Sequence, residues 1–134
     1  MRAKLGILIA CAGLLISALP VLAHHSFAAE YDASKPVELK GRVSKVEWTN
    51  PHARFYIDIK SADGKVTTWN FELASPNVLT RNGWTRHSLQ EGDEITVQGS
   101  MAKDGSNLAN ARTVTLANGK KVFAGSNTDN AEGK

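Results

Sequence analysis

Between residues 36 and 123 the apolar positions recur every second residue, in short runs separated by Gly, Pro, Asn and Asp. That period belongs to half-buried β-strands. Val37, Leu39 and Val43 alternate with Glu38, Lys40 and Arg42, and Val46 and Trp48 continue with the opposite parity. A parity switch beside Gly41 and Ser44 predicts a bulge or sharp bend in a long first strand. Phe55, Ile57 and Ile59 face one way, against Arg54, Tyr56, Asp58 and Lys60. Trp69, Phe71 and Leu73 oppose Thr68, Asn70 and Glu72. Asp63-Gly64 is a hairpin signal between these two runs, whose clean alternation puts them at the centre. Ile95, Val97 and Met101, with Gly99 between them, predict a fourth strand, and Leu108 to Leu116 a fifth, with Val114 and Leu116 inward. Asn118-Gly119 predicts a type I′ hairpin into a short strand from Lys120 to Phe123.

One segment breaks the period. Ser75-Pro76 reads as the N-cap and first position of a short helix, with Val78 and Leu79 on its apolar side. Gly83 can end it in the left-handed conformation, and Trp84 then plugs the core. Three strands, a short helix and two strands predict an all-β fold with one short helix, a five-stranded OB-like Greek-key barrel. A β-sandwich would need more strands and no such helix.

The ends read differently. Arg2 and Lys4, an apolar run from Leu5 to Val21, and Val21-Leu22-Ala23 have the form of a secretory signal peptide cut after Ala23. Cys11 lies inside that run; the lipoprotein-like Leu8 to Cys11 stretch is too early in it to direct the cut. The expected organisation is therefore a signal (1–23), a lead-in (24–35) that Phe27 and Tyr31 can dock, a barrel domain (36–123), and a polar, disordered tail (124–134). The expected destination is the periplasm or the medium, with no membrane span once the signal is removed.

Removing 23 of 134 residues leaves 111, enough for one core without staples. The formal charge of +3 shrinks, because Arg2 and Lys4 leave with the signal and fourteen basic residues then face thirteen acidic ones. A balance of +1 carries no strong bias toward nucleic acid or anionic lipid. The mature chain would hold no cysteine, so neither a thiol nucleophile nor a disulfide is expected.

His24-His25-Ser26-Phe27, Trp48-Thr49-Asn50-Pro51-His52, Glu72-Leu73-Ala74-Ser75-Pro76 and Arg81-Asn82-Gly83-Trp84 occur together, with Gly92-Asp93 and Asp104-Gly105-Ser106 after them. In that order and spacing the chain resembles an exported bacterial family of unknown function, domain of unknown function 6152. The resemblance spans almost the whole mature chain. It implies export and a single domain, and brings no catalytic residues.

Four histidines, His24, His25, His52 and His87, are the candidate chemistry. A histidine at the mature amino terminus offers its α-amine and ring Nδ1 to one metal ion, and a second imidazole completes a T-shaped three-nitrogen site. Such tetragonal nitrogen ligation suits Cu(II). The amine titrates near about 8 and imidazole near about 6.5, so both become available around neutral pH. His52, on a loop stiffened by Pro51, is the best third ligand, and His25 can support it. The bland alternative stays open: His24-His25 is a polar stretch after the cut, His52 caps its loop on the backbone, and His87 sits in an exposed connector.

No G-x-S-x-G elbow, H-E-x-x-H or phosphate loop is present, and no enzyme is expected. Asp58 and Glu72 can approach one another on the outward faces of their strands, but solvated pairing with Arg54 or Lys60 is the simpler expectation. The rival reading is a metal-free OB-type module. Its ligand-binding residues would be Arg54, Tyr56 and Asn70 on the outer face of strands two and three, between loops 50–52 and 103–107. An envelope protein, peptide or glycan fits that face. Single-stranded nucleic acid does not, because Tyr56 is its only aromatic. A third class is an enzyme accessory subunit that only packs against its partner. Trp48, Trp69 and Trp84 read as core.

Overall fold

The computed structural model of the chain describes residues 27–125. The predicted signal, His24, His25 and residues 126–134 lie outside them. The alternating runs form β1 (Tyr31–Glu47), β2 (Arg54–Lys60), β3 (Val66–Glu72), β4 (Glu94–Ala102), β5 (Leu108–Leu116) and β6 (Lys121–Phe123). Two short helices join them: α1 (Phe27–Glu30) before β1, and α2 (Pro76–Arg81) between β3 and β4.

The sheet runs β3-β2-β1-β4-β5-β6, and β3 also pairs with β5. That last pairing is parallel, Asn70 with Leu108, Phe71 with Ala109 and Glu72 with Asn110. It closes β1, β2, β3, β5 and β4 into a ring with the helix between β3 and β4, the OB-fold arrangement. β6 lies outside the ring on β5.

One strand can serve two neighbours because it bends. Pro36 to Arg42 pair with β4, and Arg42 to Glu47 with β2. The β1–β2 register slips between Val43 and Lys45, so Ser44 is the bulged residue the parity switch predicted. β1 starts at Tyr31, five residues ahead of the alternating run, because the lead-in also joins the ladder: Tyr31 opposes Ala102 after a register break.

Phe55 and Phe71 stack inside the ring with centroids 5.3 Å apart. Val43, Ile57, Ile95, Val97, Ala109, Ala111 and Val114 surround them, all buried. Trp48 and Trp69 pack partly buried against this cluster. α2 forms as expected. The Ser75 hydroxyl accepts from the Val78 N–H, Pro76 holds the first turn, and Gly83 has φ +87°. Leu79 and Trp84 are buried, and the Trp84 indole N–H donates to the Phe123 carbonyl at 2.7 Å.

Two local expectations fail. Met101 is only half-buried, whereas Ser100 and Ala102 are buried. The β4–β5 register slips at Gln98/Gly99, and Ser100 and Ala102 are flanked by the start of β1, which the alternation of β4 alone does not report. Asn118-Gly119 makes no type I′ turn. Leu116 and Lys120 close a three-residue loop in which the Gly119 N–H reaches the Leu116 carbonyl and Gly119 has φ +83°. The loop after β2 repeats this pattern at Gly64. Among the described residues no helix is long and apolar enough to cross a membrane.

Gly99 marks the tightest backbone approach. A Cβ there would lie 2.0 Å from the Asn110 carbonyl oxygen, which belongs to a paired strand and cannot yield alone. Gly99→Ala is expected to lower stability by at least about 2 kcal/mol. The denaturation midpoint measures this, and an unchanged midpoint would contradict the close approach.

Candidate functional site

The ladder between β2 and β3 sets Arg54 directly opposite Glu72. One further rung extends it: the Ala53 N–H donates to the Ala74 carbonyl, and the Leu73 N–H to the Ala53 carbonyl. With Ala53 turned into the core, its neighbours His52 and Arg54 share the outer face, where Glu72 also points. Arg54 Nη2 donates to Glu72 Oε2 at 2.5 Å, and His52 Nδ1 lies 2.8 Å from Glu72 Oε1. Both carboxylate oxygens are therefore committed. Glu72 is only 5% exposed, which corrects the expectation of a solvated pair. Its two partners are not buried with it: the Arg54 side chain is 30% exposed and that of His52 28%. Asp58 does not approach Glu72; it accepts from Thr68 Oγ1 at 2.6 Å and from Ser44 Oγ at 3.4 Å.

The lead-in closes on the same place. The Lys103 N–H donates to the Glu30 carbonyl at 2.9 Å, the Lys103 ammonium to the Ala28 carbonyl, and the Phe27 and Tyr31 rings meet at 5.6 Å. Tyr31 is buried, as its proposed docking role requires. Its hydroxyl is buried beside Glu72 without a partner in hydrogen-bonding geometry. Burial first, then the charges of Glu72 and Glu30, push its pKa well above the ordinary tyrosine value. Asn70 Oδ1 and Asn110 Nδ2 are also buried without partners. Asn70 shares the outer face of β3 with Glu72, and Asn110 opposes Glu72 on β5.

The predicted site residues do not form one cluster. His52 and Arg54 come together on Glu72. The His52 ring bonds this carboxylate rather than capping its loop, and its side chain is 28% exposed. Tyr56 stands apart. Its hydroxyl donates to Glu47 at 3.2 Å, and Lys45 Nζ lies 5.3 Å from its ring centroid. The hydrogen bond from Lys45 holds the Glu47 carboxyl below its usual range. Asn70 lies on the outer face with its side-chain oxygen unmet. His87 is exposed in the connector after α2. His24 and His25 are outside the described residues. Among the described residues no three His, Cys, Asp or Glu side chains form a metal-binding group.

A family model described as "Family of unknown function (DUF6152)" matches residues 12–111. The chain belongs to that family. A search of curated proteins gave no match. Among solved structures, this DUF6152 chain is similar to the mitochondrial single-stranded DNA binding protein Rim1 from S. cerevisiae. Identity is 14% and the TM-score 0.48, with 62% of this chain and 94% of that one covered. It is also similar to the N-terminal domain of PriB from Thermoanaerobacter tencongensis, at 14% identity and TM-score 0.41, covering 63% and 97%. The OB assignment rests on the strand order itself.

The unmet Tyr31 hydroxyl has a measurable consequence. Its folded pKa lies above the unfolded value of about 10, so its stabilising contribution is complete below that pH and is lost as pH rises beyond it. The loss approaches about 1.4 kcal/mol per pH unit. Tyr31→Phe, which deletes the orphaned group, is expected to be at least as stable as the wild type at pH 7. Its advantage should widen between pH 10 and 11.5. Denaturant titrations of both proteins across that range check the difference, and parallel curves would contradict it.

Proposed function

We propose that this DUF6152 protein is an exported binding protein that takes up Cu(II) through the amine and ring of a mature His24 together with His52, with His25 in support. The observation that carries this reading is convergence on Glu72: His52 rests on one carboxylate oxygen, and Tyr31, seven residues after His24, is buried beside the same group. His24 stands three positions ahead of the described start at Phe27, a reach of about 10 Å when extended. The lead-in is thus tied to the rim where His52 stands half-exposed. Nitrogen ligands of this kind favour Cu(II) over the other first-row divalent ions. The role in this reading is metal handling or sensing rather than turnover.

A second reading has its own support. Arg54, Tyr56 and Asn70 share the outer face of β2 and β3, each part-exposed, and suit a polar partner such as an envelope protein, a peptide or a glycan. Single-stranded nucleic acid is not the ligand proposed, because Tyr56 is the one aromatic on the outer face of β2 and β3 and its hydroxyl is bound to Glu47.

Mass spectrometry of the exported protein identifies the amino terminus, and titration with Cu(II) against a competing chelator tests the site. A chain beginning at His24 is expected to bind below micromolar Kd. His52→Ala, and a form with one residue added ahead of His24, should each bind at least about tenfold more weakly, the loss of one ligand costing 1.4 kcal/mol or more. Equal binding by the extended form would remove the terminal-amine model. Absence of submicromolar binding by every form would leave the polar-partner reading.

A further inference from the structure

We infer that Glu72 is a positioning residue that fixes His52 as its Nδ1–H tautomer, so that Nε2 is the nitrogen the protein presents to a ligand. The use of that nitrogen rests on the Cu(II) reading above; the tautomer itself does not. A carboxylate accepts hydrogen bonds and donates none. Glu72 Oε1 lies 2.8 Å from His52 Nδ1, so the proton of a neutral ring must sit on Nδ1. A free imidazole favours the opposite tautomer, so the protein imposes this one.

Arg54 makes the imposition firm. Its Nη2 engages the other oxygen, Oε2, at 2.5 Å, so the carboxylate cannot rotate away without breaking a charge-assisted bond. Burial keeps water from competing for either oxygen. The same two bonds remove Glu72 from the pool of direct ligands. What remains is a half-exposed ring with one uncommitted nitrogen and a fixed orientation. Carboxylates placed this way behind a ligating histidine raise its basicity, and their loss typically weakens metal binding about 10–100-fold.

Glu72→Gln separates positioning from packing. It keeps the size and can still accept from Arg54, but its amide nitrogen then faces His52 Nδ1 as a donor. The expected result is an inverted tautomer, with the proton on Nε2. Two-bond nitrogen–proton NMR of the His52 ring in the metal-free protein at pH 8 reads the tautomer directly. Wild type should show a protonated Nδ1 and a bare Nε2; a protonated Nε2 in wild type overturns the inference, whether or not the variant folds. For Cu(II), Glu72→Gln should bind at least about tenfold more weakly. If wild type binds through His52 and Glu72→Gln binds equally well, the positioning role is wrong and the metal reading stands. If wild type shows the Nδ1–H tautomer yet binds no Cu(II), the metal reading is wrong and the tautomer lock stands.

Discussion

The three residue pairs between β3 and β5 hold both the barrel and its candidate site. They are the only parallel pairing in the described sheet, and they join its third strand to its fifth. Without them the sheet would be open, with β3 as an unprotected edge, a liability for any β-protein. With them, Phe55 and Phe71 are enclosed, and Glu72 at the end of β3 lies between Arg54 on β2 and Asn110 on β5. The same short ladder that completes the core thus buries a carboxylate on the outer surface.

That burial has a cost, and the surroundings offset it unevenly. Glu72 has two good partners, while Tyr31, Asn70 and Asn110 each leave one polar atom unmet. Unmet buried groups usually cost about 1–3 kcal/mol each. Three in one patch, under the point where the lead-in meets the barrel, set this region apart from the apolar interior. Departures from local consistency of this kind tend to gather at functional sites. Membership of DUF6152 leaves the chemistry open, so the polar patch and the histidines carry the functional reading.

Most of the architecture was legible in the alternation. The inward sets at Phe55/Ile57 and Phe71/Leu73, the bulge at Ser44 and the capped helix at Ser75-Pro76 all follow from local steric and hydrogen-bonding rules, and each forms. The misses share one cause. Met101, Ser100 and Ala102 depend on how β1 lies against β4, and the three-residue loop at Ala117–Gly119 depends on the register of its strands. Arg54 and Glu72 could have been paired from sequence, because a three-residue hairpin loop sets them opposite one another. His52 joining them could not, since it lies beyond the strand, after a proline.

The amino-acid order alone determined most of the inward positions outside the end of β4, where the chain turns and where the helix starts, because periodicity, capping and glycine conformations act over a few residues. It also set out the candidate ligands. Tertiary structure decided that Glu72 is buried rather than solvated, that Tyr31 of the lead-in is buried beside it, and that His52 turns Nδ1 toward this carboxylate. Those outcomes turn on groups far apart in sequence meeting at a single desolvated carboxylate, which the β2–β3 ladder pairs and closure of the ring buries.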